Sequence, residues 1–518
     1  MHGLVGGAAG GDLGAIYITS DFPLPYSLHL PTHHGARDSN QWPFHSPPAR
    51  LMDGYVQYFS FEDLLSLSTT CKDLRASTEH FLYRQISWRF GEALPLRRLL
   101  RLLRTILDRP DLASSIQLLS LLSSKSKWIT PQQDIDWREE APSFQDVTEK
   151  AISVIQRARF TDAEEWADVL MKGNFFAFAA ILISQLANIK TLHLDFCFVW
   201  LDGFPGRMMK HAVFSPSKEL PTFSCLQEVD YGGNVPNPVK YWTEIDDGPP
   251  DRFADPYNHA QFIGWFGLPS LRHLEIWLRD IEELKEKPEL DLSHLHTLIL
   301  ARSTIPEKDV PFLLHRTGGL MNLHLGLAHG WEEQMFYEHS DCLAEGLGLV
   351  SSTVERLSVG LEYHPCYCGE SHGDDEMEEW RNPLHGILTR FTRLQVAEVP
   401  ITFLLGFNPD YAAHLDGSVL PDTLRELVLR NDLVNLAGFE WYNGDILDFI
   451  KRFLTHSRHS TPLLRKITCR RWKRKYSEDW PDEDFQMRLA CKDTGIDFNI
   501  VVDRLSSGLW NEQNDTLK

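Results

Sequence analysis

The stretch LRHLEIWLRDIEELKEKPELDLSHLHTLILARSTIPEKDVPFLLHRTGGLMNLHL, residues 271–325, repeats one short phrase. The phrase is an apolar residue, two variable residues, a leucine, one variable residue and an aliphatic residue. It begins at Leu271, Leu295 and Leu320, with spacings of 24 and 25 residues. Because side chains alternate between the two sides of an extended chain, each phrase predicts a strand with one apolar face.

The same phrase returns on both sides of this stretch. Clear copies are Ile189–Leu194, Leu226–Val229, Val354–Val359 and Leu424–Leu429, and weaker ones are Leu394–Val399 and Leu464–Ile467. A single repeat cannot bury its own apolar face, so neighbouring repeats must stack into a solenoid. The spacing is similar to that of leucine-rich repeats with insertions, which implies about nine or ten strands. The alternative is a generic α/β domain with leucine-rich strands.

In solenoids of this kind the concave face often binds partners. We expect the variable positions of the phrases on or beside that face: Lys190, Arg272, Glu275, His296, Asn322 and Arg356. The sequence does not identify the substrate-binding residues among them.

Residues 48–88, ahead of the repeats, predict short helices. Ser60 and Asp63 have the spacing of a capping box, with Ser60 as the N-cap. An apolar stripe follows at helical spacing, formed by Leu64, Leu67, Cys71 and Leu74. Such a segment is too small to fold on a core of its own, so it either docks onto a partner or caps the following domain.

This helical segment resembles an F-box, the module that binds the Skp-family adaptor of cullin-based ubiquitin ligases. The F-box pattern matches at Pro48, Leu51-Met52, Tyr58-Phe59, Asp63-Leu64, Cys71-Lys72 and Leu74-Arg75. The chain departs from the pattern at Pro47, Arg50 and Tyr55, where the family has leucine, an acid and isoleucine. The resemblance implies that these residues bind the adaptor: Pro48, Leu51, Met52, Tyr55, Phe59, Leu64, Leu67 and Leu74.

The predicted fold class is α/β, with a short all-helical F-box-like module followed by an irregular leucine-rich-repeat solenoid. The predicted parts are a disordered segment (1–47), the F-box-like module (48–88), a helical linker (89–113), the solenoid (114–503) and a C-terminal tail (504–518). The whole arrangement resembles fungal F-box proteins with C-terminal leucine-rich repeats.

Composition restricts the partners. The 518 residues include 72 acidic and 51 basic ones, a net charge of −21, which argues against nucleic acid and anionic membranes as ligands. No run of about 18 apolar residues suggests a membrane span. The 8 cysteines are sparse and irregular, which favours a reducing compartment, cytoplasmic or nuclear.

Two clusters suggest chemistry. His364, Cys366, Cys368 and His372 are weak candidates for a zinc site, because Cys-x-Cys is tighter than usual zinc spacing and acidic residues follow; a plain loop is the alternative. The basic run Arg470–Lys475 reads as a nuclear-localisation signal, a patch for an acidic partner, or a charged terminal strand.

No enzyme motif is found: no G-x-S-x-G, P-loop, H-E-x-x-H or strand-linked G-x-G-x-x-G. We therefore predict no enzymatic activity and no cofactor. The predicted function is the substrate-recognition subunit of a cullin-based ubiquitin ligase, with a Skp-family adaptor, a cullin reached through it, and an unknown target as partners. The alternative is a repeat scaffold outside any ligase, whose N-terminal helices only cap the solenoid.

Overall fold

The computed structural model describes residues 59–91, 93–124, 132–235, 258–330, 340–364, 386–406, 408–412, 416, 418–432, 441, 443–456, 458–472 and 481–503. The strands in these ranges are β1 Gln85–Phe90, β2 Ala93–Leu94, β3 Leu118–Ser123, β4 Gln132–Gln133, β5 Thr191–Leu194, β6 Glu228–Tyr231, β7 His273–Ile276, β8 Thr297–Ser303, β9 Asn322–Gly330, β10 Arg356–His364, β11 Val396–Pro400, β12 Glu426–Arg430, β13 Lys466–Trp472 and β14 Asp497–Asp503.

All strands except β2 and β4 form one 12-stranded sheet, in the order of the chain. Each strand pairs in parallel with the next one. The short strands β2 and β4 pair separately. Connections between parallel neighbours are almost always right-handed, so strands added in one direction put their connecting helices on one face of the sheet.

The helices fill these connections. They are α1 Phe61–Thr70, α2 Lys72–Tyr83, α3 Leu96–Asp108, α4 Pro110–Ser115, α5 Trp137–Glu140, α6 Gln145–Ala158, α7 Ala163–Met171, α8 Phe175–Ile183, α9 Cys197–Trp200, α10 Phe204–Phe214, α11 Ile263–Phe266, α12 Glu282–Lys285, α13 Val310–Leu314, α14 Ser340–Leu349, α15 Ile401–Leu405, α16 Asn443–His456 and α17 Pro481–Asp493. Short 3₁₀ turns occur at Ala141–Phe144, His259–Gln261, Glu307–Asp309, Ile387–Arg390, Pro409–Tyr411 and Arg458–Ser460.

The core is a stack of apolar side chains in register across the sheet. One row consists of the central apolar residue of each phrase, in most phrases a leucine. Its members are Leu192, Val229, Leu274, Leu298, Leu323, Leu357, Ala397, Leu427 and Ile467. All of them are buried. Full burial of one such aliphatic side chain contributes about 1.5–3 kcal/mol, so the row is a large part of the folding free energy.

The phrases in the sequence coincide with β5 to β13. Each phrase begins two residues before its strand, as at Leu271 for β7 and Leu320 for β9. Strand β3, Leu118–Ser123, lies between β1 and β5 in the sheet. The sheet also contains β1 and β14, which the leucine pattern did not indicate.

The predicted fold class is wrong at the N-terminal end, because the described chain has no all-helical module there. Helices α1 and α2 are present, but Gln85–Phe90, partly inside the predicted 48–88 module, is the first strand of the large sheet and pairs with β3. Its apolar residues occupy every second position and are buried, which is the period of a strand: Ile86, Trp88 and Phe90.

The sheet therefore starts at residue 85 and not in the predicted 114–503 region. The predicted linker, 89–113, contains the end of β1, then β2, α3 and the start of α4. Residues 1–47 and 504–518, predicted as disordered segment and tail, lie outside the described residues.

Helix α8 is apolar on all sides, and every residue of it is buried. Within the described ranges no single helix is long and apolar enough to cross a membrane. Among these helices, α7 and α8 together have the length and apolar composition of a membrane span, but the chain bends by 119° between them.

Two glycines allow α10 and the α11 segment to come close together. A Cβ atom on Gly264 would lie 2.3 Å from the backbone nitrogen of Lys210, and one on Gly206 would lie 2.1 Å from the carbonyl oxygen of Gln261. Backbone atoms cannot move aside as a flexible side chain does, so a methyl group at either position forces the two segments apart.

We expect Gly264→Ala to lower the free energy of unfolding by about 1–3 kcal/mol, as overpacking of a close contact does. Gly444→Ala is the control, since its added methyl meets nothing within 4 Å and alanine favours a helix over glycine by about 0.5–1 kcal/mol. Urea unfolding of both variants measures the difference. Equal stability of the two would contradict the close contact.

Candidate interaction surfaces

Helices α1 and α2 form a helix pair at the N-terminal end of the described chain. The predicted capping box is confirmed: the Asp63 amide donates to Ser60 Oγ at 3.2 Å, and the Ser60 amide donates to Asp63 Oδ2 at 3.2 Å. Cys71 caps the second helix, its Sγ accepting from the Leu74 amide at 3.5 Å. These local bonds fix where each helix begins.

The helix pair is attached to the sheet through α2. Helix α1 packs mainly against α2, and α2 in turn packs against α4 and β1. An ion pair supports this attachment, with Arg109 Nη2 at 3.1 Å from Glu79 and at 2.7 Å from Asp111. Hydrogen bonds to Asp111 and Glu79 raise the pKa of Arg109 above its ordinary value. Helix α1 therefore lies outside the sheet-and-helix body.

The residues predicted to bind an adaptor divide by exposure. Leu64 is only 7% exposed, and Leu67 and Leu74 are half-buried, so most of this stripe is not open to a partner. Phe59 is 41% exposed at the start of the pair. The remaining predicted residues, Pro48, Leu51, Met52 and Tyr55, lie outside the described residues.

Leu65 is a residue that the sequence reasoning missed. It is 48% exposed on α1, next to the buried Leu64. The leucine stripe was taken as the partner surface, although a stripe at helical spacing also serves to pack two helices against each other. The position of Leu65, just outside that stripe, is the feature of the sequence that could have indicated its exposure.

The second face of the sheet, opposite the leucine rows, is also buried in its middle part. Glu275, Ile299, His324 and Ser358 occupy successive strands there and are all buried. Other segments of the chain must therefore lie over this face. Glu275, expected on a partner-binding face, is not accessible.

The residues just before the strands are far more accessible. We call them the edge row: Arg84, Gln117, Lys190, Gln227, Arg272, His296, Met321, Glu355, Gln395, Arg425 and Arg465. Only Gln117, Glu355 and Gln395 are half-buried, and the others are exposed. The expected positions Lys190, Arg272 and His296 belong to this row, whereas Asn322 and Arg356 follow it by one residue and are half-buried.

A buried charge cluster ties the strands β10 to β13 together. Arg430 Nη1 donates to Glu398 Oε1 at 2.7 Å, and Arg430 Nε donates to Asp432 Oδ1 at 2.9 Å. Asp432 also accepts from the Leu361 amide at 3.0 Å, and Arg470 Nε lies 3.5 Å from Glu398. Burial lowers the pKa of Arg430, but the charges of Asp432 and Glu398 raise it more, so its pKa lies above the ordinary value.

The structure brings little of the predicted chemistry together. His364 is the last residue of β10, and Cys366, Cys368 and His372 lie outside the described residues. Among the residues that are described, no group of three or more His, Cys, Asp or Glu is arranged to hold a metal ion. Of the basic run Arg470–Lys475, the first residues belong to β13 and Arg470 faces Glu398.

Several titratable groups are strongly perturbed by burial. Burial raises the pKa of the Cys197 thiol well above its ordinary value and that of Cys491 to about 11, so both thiols are protonated at neutral pH. Burial also raises the pKa of Glu307 to about 7. Glu307 lies in the 3₁₀ turn before α13, which packs against α14.

An open cleft of about 660 Å³ lies near this turn, on the helical side of the molecule. Its lining includes Glu289, Asp291, Phe312, Arg316 and Leu349. The guanidinium of Arg316 stacks 4.0 Å from the Phe312 ring and donates to the Leu284 carbonyl at 2.9 Å. That cation therefore holds two turns of the chain together.

Comparison with known proteins gives no family: no protein-family model matches the chain, and no curated protein matches it. Function therefore has to be inferred from the surfaces that the chain presents.

We expect Arg430→Met to lower the free energy of unfolding by about 3–5 kcal/mol, because it leaves the buried Asp432 without its counter-charge. Arg104→Met is the control, since Arg104 pairs with Asp146 at a more exposed position and such pairs are worth about 0–1 kcal/mol. Chemical denaturation measures both. A similar loss in the two variants would show that the Arg430 cluster contributes no more than a surface pair.

Glu307 should make the protein less stable as the pH rises. The unfolded carboxyl loses its proton near pH 4.5, and the folded one near pH 7. Between these values the native state binds more protons, so the free energy of unfolding falls by up to about 3 kcal/mol as the pH rises through this window. Glu307→Gln should remove most of that fall, and the exposed Glu345→Gln should leave it. Unfolding at pH 5 and pH 8 tests this; an equal fall in both variants would refute it.

Proposed function

We propose that the protein is a substrate-recognition subunit of a cullin-based ubiquitin ligase. In this proposal the α1–α2 helix pair binds a Skp-family adaptor, and the surface of the large sheet holds a target protein. The observation that carries the proposal is the exposure of apolar side chains on a helix pair that lies outside the main body, with Phe59 41% and Leu65 48% exposed. Contiguous exposed apolar surface marks protein interaction sites, and these two side chains are the candidates for it here.

The residue pattern of the helix pair supports an adaptor as the partner. The F-box-like residues Asp63-Leu64, Cys71-Lys72 and Leu74-Arg75 all lie on α1, α2 and the turn between them. The pair has a defined start through its capping box and a fixed turn through Cys71. A rigid pair of helices with exposed apolar side chains suits a groove on a helical partner.

The second hypothesis is that the helix pair only caps the sheet. A cap covers apolar side chains of the first strand, here Ile86, Trp88 and Phe90. Among described elements, α2 does pack against β1, which favours this hypothesis in part. However, the Trp88 ring is also covered by Arg98 of α3, whose guanidinium lies 4.6 Å from it, and the Phe175 ring of α8 meets the Phe90 ring edge-on. Helix α1 packs mainly against α2, so a capping role of the pair leaves α1 unexplained.

Catalysis in this proposal is proximity. The helix pair is fixed to the ligase while the sheet holds the target, so the transfer of ubiquitin becomes effectively intramolecular. Such a subunit works in the cytoplasm or the nucleus. The described cysteines Cys71, Cys197, Cys225, Cys342, Cys469 and Cys491 are all free, which suits a reducing compartment.

We expect Leu65→Asp to reduce co-purification of the Skp-family adaptor at least about tenfold, because an interface that buries an unpaired carboxylate loses about 1.4 kcal/mol or more. Met171→Asp is the matched control: Met171 is 57% exposed on α7, away from the helix pair. Both variants place a charge on the surface and should unfold at the same temperature as the wild type. Pull-down with the purified adaptor gives the measurement.

Equal adaptor recovery with all three proteins, or no recovery with any of them, would overturn the adaptor proposal. Leu64→Asp is unsuitable as the main variant, because Leu64 is buried and a carboxylate at that position would destabilise the fold itself. Deleting residues 1–84 distinguishes the capping hypothesis. If the helices only cap the sheet, the shortened protein aggregates; if they bind an adaptor, it stays soluble and loses the adaptor.

A further inference from the structure

The edge row is a fixed array of side chains. The residues of the row are joined by one continuous backbone ladder, in which each amide donates to the carbonyl of the preceding member. The Lys190 amide donates to the Gln117 carbonyl at 2.7 Å, and the Arg465 amide donates to the Arg425 carbonyl at 2.8 Å. Since neighbouring strands lie about 4.8 Å apart, the row presents one side chain at each step of that length.

The exposed charges of this row are mainly positive, in a chain with a net charge of −21. The cations are Arg84, Lys190, Arg272, Arg425 and Arg465. None of these side chains forms an ion pair in the part of the chain that the structure describes. Arg425 and Arg465 are direct neighbours in the ladder.

Three acids beside the row already have a partner. Glu355 pairs with Arg393, Glu426 lies 2.6 Å from Lys466, and Glu228 lies 3.1 Å from the His193 ring. Beyond Arg465 the backbone ladder continues to the exposed Asp497 of β14, whose carboxylate accepts from the neutral Asn499 side chain and keeps its charge. The five exposed cations of the row outnumber this acid, so the local charge along the row is positive, against the sign of the whole chain.

We propose that the edge row binds an acidic peptide segment, with the Arg425–Arg465 pair as its strongest contact. Exposed cations held in a line favour a ligand whose negative charges are also in a line. At about 4.8 Å per strand, Arg84, Lys190 and Arg272 follow one another at about 9.6 Å, and Arg425 and Arg465 at about 4.8 Å, whereas carboxylates on alternate residues of an extended peptide recur about every 7 Å. The repeats differ, so the ion pairs depend on the long, flexible stems of the arginine and lysine side chains. Carboxylates and phosphates offer the same chemistry to arginine.

This inference rests on the proposed function only for the identity of the partner, which would be the target of the ligase. The surface lies along the starts of the strands, and its test uses no adaptor. If the protein recovers the adaptor but does not bind the peptide, the edge-row proposal fails and the proposed function stands. If it binds the peptide but does not recover the adaptor, the proposed function fails and the edge-row proposal stands.

The experiment measures the fluorescence anisotropy of a labelled 16-residue peptide as the full-length protein is added. In this peptide Glu occupies every second position, and Gly or Ser occupies the positions between. A second peptide carries phosphoserine in place of Glu, and a third carries Lys. We expect the two acidic peptides to bind, the Lys peptide not to bind, and affinity to fall as salt is raised. The acidic peptide that binds more tightly identifies carboxylate or phosphate as the natural group.

The decisive variant is Arg425→Glu with Arg465→Glu, for which we expect binding at least about tenfold weaker, from two lost pairs and two new repulsions. The control is Arg138→Glu with Lys218→Glu, which changes the net charge equally at two exposed cations outside the row. Thermal unfolding checks that both double variants are folded.

Equal weakening in both double variants would show an effect of overall charge and would overturn the assignment. Absence of binding to either acidic peptide would overturn it as well. A single-stranded oligonucleotide is tested in the same assay. If it binds more tightly than both acidic peptides, the ligand is a nucleic acid and the assignment to an acidic peptide is wrong. The proposal is supported if the control double variant still binds the acidic peptide and the Arg425→Glu, Arg465→Glu double variant does not.

Discussion

The contact on which the rest of this structure depends is the parallel stacking of consecutive strands over one apolar core. Each strand contributes a central aliphatic residue, such as Leu274, Leu298 and Leu323, directly in register with its neighbours. No strand can bury this residue without its neighbours, so each strand depends on the adjacent strands for its stability. The same ladder sets the positions of the side chains just before the strands, and thereby builds the edge row.

The two faces and the edge of the sheet have different physical tasks. The leucine face packs against helices, and the second face is covered by other segments of the chain. Buried charges are tolerated there only as a matched group, as with Arg430, Asp432 and Glu398. Solvent-accessible cations are left for the edge, where side chains extend from the starts of the strands. Partner binding by the sheet is therefore inferred for its edge and not for its middle.

The N-terminal helix pair shows how one sequence pattern can serve two purposes. The stripe through Leu64, Leu67 and Leu74 predicts a partner surface, but in the fold Leu64 is buried and the other two are half-buried. Leu65 and Phe59 are left exposed instead. The segment after the pair was interpreted as helical because Ile86 and Trp88 follow apolar helices. Their alternation with polar residues is the period of a strand, and pairing with β3 decided between the two periods.

The sequence alone determined the strands β5 to β13, because a leucine phrase is a local pattern that can be recognised at each recurrence without knowledge of distant contacts. It also determined the capping box at Ser60, since both partners lie within one turn. Only the tertiary structure decided which variable positions are accessible: Glu275 is covered, while Lys190 and Arg425 are exposed. Exposure depends on segments far away in the chain that pack over the sheet, and no local spacing encodes where they lie. For the same reason the Arg430 cluster, assembled from four strands, could not be read from the sequence.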